Sequence, residues 1–196
     1  MTLPRVFRGA LVGAVVACVV LSGCTRDDPA PEPTSAAVTD EPTADATTEP
    51  AEIVPPEKPT LMASNDAIGA RAAAEYFLSL YGYVFQTGDL TEWDAMCDPE
   101  SEFCNGVRDA VTEHVASGNV QTGGEATISV GQVLEPSGAL EEYEVSGLMV
   151  QEAYEIVDEG GQLVSSDEGE GEIPTSIFLK MDSAGEWHIR AVAMGS

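Results

Sequence analysis

The hydrophobic period of this chain changes once, and that change limits the fold more than any other feature. From about Asp66 to Thr87, apolar residues recur at three- and four-residue steps: Ala70, Ala73, Phe77, Leu80 and Val84. That spacing makes one apolar stripe on a helix. After Gly123-Gly124 the period drops to two, with Ile128 and Val130 alternating with polar neighbours. A period of two builds half-buried strands, so helices precede strands in this chain. Helices first and antiparallel strands second define an α+β domain, with helices packed on one face of a curved sheet.

The element boundaries follow from local chemistry. Ser64, Asn65 and Asp66 offer side-chain oxygens to cap the first helix, and Gly88 suits the left-handed residue that ends it. Asp89-Leu90-Thr91-Glu92 has the spacing of a capping box and predicts a short second helix through Trp93 and Met96. A third helix is expected over Gly106–Ser117, capped by Asn105 and ended by Gly118, with Val107, Val111 and Val115 on one side. Tyr143–Val157 reads as one long strand bent at Gly147, and Asp158-Glu159-Gly160-Gly161 as a turn. Ile177, Leu179 and Met181 alternate inward, as do Trp187, Ile189, Ala191 and Ala193 after a turn at Asp182–Gly185.

Charge excludes some partners. The 196 residues hold 34 acids against 8 lysines and arginines, for a formal net charge of −26. Nucleic acid is therefore not an expected partner, because phosphate neutralisation needs clustered cations. A basic patch docking to anionic lipid is excluded for the same reason.

Residues 1–23 carry a different signal. Arg5 and Arg8 precede the apolar run Ala10–Val20, which is too short to span a bilayer as a helix. The run leads to Leu21-Ser22-Gly23-Cys24. This order resembles the bacterial lipoprotein signal, or lipobox. The resemblance implies cleavage before Cys24, acylation of Cys24 (a diacyl, palmitate-type anchor) and attachment to the extracytoplasmic face of the cell membrane. An ordinary cleavable signal with a chance cysteine, or an uncleaved anchor, is the alternative.

Residues 24–60 read as a disordered tether. Thr25–Thr60 contains eight of the twelve prolines, nine acids and no aromatic residue, too little apolar surface to offset chain entropy. Extended, it would reach roughly 110 Å. Its Thr, Ser, Pro and Ala content suits either an O-glycosylated stalk or an unmodified spacer. The folded domain is expected at 61–196.

Several residues invite chemistry. Cys97 and Cys104 are the only cysteines of the expected domain, and export favours a disulfide between them. A metal site is the alternative, although the spacing is wider than a zinc knuckle uses. His114 lies on the valine side of the third helix, where a boundary role outweighs a catalytic one. His188 alternates with Trp187 and so points to the opposite sheet face. Tyr76, Tyr81, Tyr83, Tyr143 and Tyr154 could line a pocket, with core packing as the plainer reading. Ser165–Glu172 (SSDEGEGE) suggests calcium only weakly, because it lacks the order of an EF-hand loop; a solvated acidic loop is the plainer reading. No nucleotide, hydrolase or zinc-protease motif occurs.

Taken in order, these features resemble a family of actinobacterial lipoproteins, domain of unknown function 6318. The resemblance rests on the lipobox cysteine, the acidic Pro-Thr tether, Pro55-Pro56-Glu57-Lys58-Pro59 and Ile68-Gly69-Ala70 opening an aromatic helix. Thr87-Gly88-Asp89, the paired cysteines and a last strand centred on Trp187 complete it. The helix–helix–sheet order also resembles the nuclear-transport-factor-2-like, or SnoaL-like, cone. That cone hosts enzymes, ligand carriers and interaction domains alike. The expectation is a non-enzymatic envelope lipoprotein that binds a partner protein or a small hydrophobic ligand. The alternatives are a cone-fold isomerase or hydratase using a buried carboxylate, and a structural or regulatory module. No catalytic residue, cofactor or metal ligand is assigned.

Overall fold

The computed structural model describes residues 53–138 and 141–195. The segment expected to be a signal, Cys24 and most of the expected tether lie outside the described residues. The chain enters the domain slightly upstream of the expected boundary. Lys58 pairs with Glu186 at 3.1 Å, and a 3-10 turn begins at Thr60.

Helix α1 spans Ala67–Thr87. Asp66 caps it by accepting from the backbone N–H groups of Ile68 and Gly69, both at 2.9 Å. Gly88 ends it at φ 73°, a conformation that costs glycine little. Its stripe is fully buried at Ala70, Ala73, Phe77, Leu80 and Val84. Burying each large side chain is worth about 1.5–3 kcal/mol against exposure, which is what holds a helix of this polarity to the sheet.

Helix α2 spans Thr91–Met96, but the expected capping box does not form. Asp89 instead folds back on Thr91, accepting from its N–H at 3.0 Å and its hydroxyl at 2.6 Å. Helix α3 spans Glu102–Ala116 and starts four residues before the expected position. Ser101, not Asn105, is the cap; it accepts from the Cys104 N–H. Val107, Val111 and His114, at four- and three-residue steps, are buried, while Val115 is half exposed.

Seven strands follow: β1 (Val120–Gly123), β2 (Ala126–Leu134), β3 (Tyr143–Gln151), β4 (Tyr154–Val157), β5 (Leu163–Asp167), β6 (Glu170–Met181) and β7 (Trp187–Met194). They form a four-stranded sheet in the order β2-β3-β6-β7 and a three-stranded sheet in the order β1-β4-β5, antiparallel throughout. The single strand expected over Tyr143–Val157 is therefore two strands in two sheets, broken at Glu152-Ala153. Gly169 permits that break: it sits at φ 81°, and a Cβ there would lie 2.5 Å from the Gln151 carbonyl oxygen.

Helix α1 crosses the inner face of the four-stranded sheet and also meets β1, α2 and α3. The core between them holds Phe77, Leu80, Trp93, Val145, Ile177, Leu179 and Ile189. Phe77 stacks on Trp93 with ring centres 4.6 Å apart. In β7 the alternation breaks. Phe178 pairs with Ala191 and Leu179 with Ile189, so Arg190 is the extra residue of a β-bulge. Beyond the bulge Val192 turns inward, and Ala191 and Ala193 are exposed rather than buried.

Candidate functional site

Cys97 and Cys104 form a disulfide with Cα atoms 5.9 Å apart, joining the end of α2 to the first turn of α3. The bridged loop is fastened to β7 from three directions. Cys97 makes an isolated bridge to Ile189, and the Asp98 N–H donates to the Ile189 carbonyl at 3.1 Å. The Arg190 guanidinium pairs with Asp98 and also approaches Glu142 at 3.8 Å and Glu100 at 3.9 Å. The Glu100 backbone N–H, and then Arg190, hold the Asp98 carboxyl below its usual range. Trp93 donates from its indole nitrogen to the Cys104 carbonyl at 3.3 Å beneath the loop.

The five tyrosines do not converge on one pocket. Tyr76 donates to Glu92 at 3.3 Å, and burial followed by that carboxylate pushes its phenol up to about 12. Tyr83 donates to Asp89 at 2.9 Å, and Tyr143 to the Asn65 carbonyl at 3.1 Å. Tyr81 lines a cavity of about 160 Å³ with Leu78, Phe103, Met149 and Glu170. Tyr81 and Tyr154 also border a cleft of about 320 Å³ with Phe85, His114 and Gln121.

His114 is 9% exposed, and its Nε2 is buried with no hydrogen-bond partner. Burial lowers its pKa below 6.5. The Phe85 ring meets it edge-on at 6.2 Å. His188 lies on the other side of the sheet, 3.2 Å from Asp182. Ser165–Glu172 is not one loop: it is divided between β5, a turn at Glu168-Gly169 and β6. Among the described residues, no three His, Cys, Asp or Glu side chains gather in a metal-binding group.

Two surfaces stand out that the sequence did not single out. The first is the outer face of the four-stranded sheet. Strand register places Ser146 beside Ser176, and Leu148 beside Pro174. Ala193 pairs with Ser176 on β7. A shallow recess of about 380 Å³ lies over these residues. The one carboxylate at its margin, Glu144, accepts from Ser146 at 3.1 Å and Ser176 at 2.9 Å. The second is strand β5, exposed along its whole length. The sheet face has no sequence signature, because exposed and buried strand residues alternate with the same apolar types; of β5, only its acidic end at Ser165–Asp167 drew notice in the sequence.

No curated protein matches the sequence. Among solved structures, the intermembrane space region of the chloroplast protein ARC6 is similar in fold, with a TM-score of 0.51 at 15% identity. That similarity covers 66% of this chain and 95% of that one. A conserved protein from Planctomyces limnophilus DSM 3776 gives a TM-score of 0.41 at 9% identity, covering 63% and 93%. A structure from Catenulispora acidiphila gives 0.40 at 8% identity, covering 64% and 90%. Residues 43–193, well over half of the chain, match the family of unknown function DUF6318, and the chain belongs to that family.

Proposed function

We propose that this chain is an actinobacterial-type envelope lipoprotein, acylated at Cys24, whose folded domain binds a partner protein rather than catalysing a reaction. One observation carries the binding half. The space between α1 and the sheet is largely filled by Phe77, Leu80, Leu179 and Ile177, while a recess on the outer sheet face, over Ser146, Pro174, Ser176 and Ala193, has no charged residue in its lining. An open, weakly polar face on a domain this acidic is where a partner loses least by excluding water. The cone-fold enzyme reading needs a carboxylate raised by an apolar pocket. Asp89, Asp98 and Asp182 are each held low instead, by hydrogen bonds at turns and loop ends.

The anchor and the binding face are tested separately. Cells fed labelled palmitate should label the parent chain and not Cys24→Ser, which should also leave the membrane fraction. A photo-crosslinking amino acid at Leu148 should give a discrete adduct in intact envelopes, and the same group at Glu113 should not. Equal adducts at both positions, or none at either, would overturn the binding reading.

A further inference from the structure

Strand β5 forms one end of the β1-β4-β5 sheet and pairs only with β4. Among the described residues nothing adds to its far side, where backbone N–H and C=O groups remain open to another strand. Folded proteins usually guard such an edge with lysine or proline. β5 contains neither; a register shift leaves Val164 without a β4 partner, and Leu163 and Val164 are 54% and 55% exposed.

Its surroundings are acidic in one sign. Between Arg108 and Lys180 the chain holds fifteen acids and no lysine or arginine. Glu155 on β4 pairs in register with Ser166, and Asp167 and Glu168 close the strand. These residues line a groove of about 560 Å³ together with Tyr154.

We propose that β5 is an acceptor edge for an extended basic segment of a partner protein. The segment adds as a fourth strand to the β1-β4-β5 sheet. Apolar side chains at one end of the segment meet Leu163 and Val164, and lysines or arginines at its other end meet Asp167, Glu168 and, across Ser166, Glu155. The main-chain ladder supplies affinity and the carboxylates supply selection for charge. A second copy of this chain would bring another acidic edge, with its own Glu155, Asp167 and Glu168, alongside the first. The chain's own residues 25–60 carry nine acids and eight prolines, a composition matched to this edge neither in charge nor in ladder donors. A basic partner is the occupant that both charge and backbone accept. This proposal rests on the partner-binding reading and names the chemistry of the partner.

The test uses the full chain in detergent and a fluorescent peptide with valines at one end and lysines at the other, read by anisotropy. Two control peptides replace lysine by glutamate, or keep lysine and carry N-methyl groups on every amide. The parent peptide should bind at least about tenfold more tightly than either control. Binding should slow amide hydrogen exchange at residues 163–167. Leu163→Lys with Val164→Lys should weaken it about tenfold, and Asp167→Asn with Glu168→Gln should do the same with no change at the edge backbone. Equal binding of the N-methylated peptide, protection elsewhere, or no binding would overturn the edge. Crosslinking from Leu148 separates the two readings. If it persists while the peptide fails, the edge is refuted and the binding module stands; if both fail, both are refuted.

Discussion

Arg190 and Asp98 are ion-paired across 92 residues, joining the bulged residue of β7 to the first residue inside the disulfide loop. The Asp98 side chain is only 15% exposed. Asp98→Ala leaves the guanidinium without its nearest acceptor and should destabilise the domain by about 1.5–3 kcal/mol, measured by urea unfolding. The sign of the pH effect follows from its lowered pKa. The stabilisation is present above 3.8, the usual Asp value, and is lost as pH falls through the folded value. Asp98→Ala should therefore differ most from the parent near neutral pH, with the gap closing in acid.

Removing the disulfide should act mainly through the unfolded chain. The double substitution Cys97→Ser, Cys104→Ser should lower stability by roughly 2–3 kcal/mol, seen as a lower urea midpoint at unchanged slope. A larger loss, with a changed slope, would mean that the loop's fastening to Ile189 and Arg190 depends on the bridge.

His114 should make the domain acid-sensitive. Burial depresses its folded pKa below 6.5, so the unfolded chain takes up a proton first as pH falls. The neutral-ring stabilisation is complete above 6.5 and declines below it. His114→Phe should lose less stability than the parent between about pH 7.5 and about pH 5, because it has no ring to protonate. Parallel curves for the two proteins would refute this role.

Trp187 donates from its indole nitrogen to the Met62 carbonyl at 2.8 Å, deep under the entering turn. Trp187→Phe keeps most of the apolar volume but leaves that carbonyl unpaired, at an expected cost of about 1–3 kcal/mol. Hydrogen exchange should quicken first around Met62–Ser64, reporting local release of the turn before global unfolding.

Much of this architecture was legible in residue order. The α1 stripe and its caps at Asp66 and Gly88 are local signals, and they fell where expected. The α3 start was missed because Phe103 and Cys104 look like loop residues until Ser101 is seen capping them. The β3–β4 break was missed because Val150, Tyr154 and Ile156 continue one alternation, and periodicity does not say which sheet a strand joins. The bulge at Arg190 is equally silent, since one extra residue shifts the phase without altering composition. Strand β5 has no apolar alternation at all, so an exposed edge reads as a loop. The pairing of Cys97 with Cys104 was accessible from residue counts. The open sheet face was not, because exposure at Leu148 depends on the absence of a covering layer.

The position of Trp187 has a mechanical consequence. The chain enters the domain through Lys58–Met62, and that segment is held by Lys58 to Glu186 and by the Met62 carbonyl to Trp187. Any tension applied from the N-terminal side would reach these two bonds before it reached α1. Both terminate on the start of β7, which lies at the edge of its sheet and is also fastened by Arg190 to the disulfide loop. Load would pass first into that strand, and from it both to its β6 partner and, through Arg190, to the covalently closed loop. The last strand thus takes the first share of any pull on the chain.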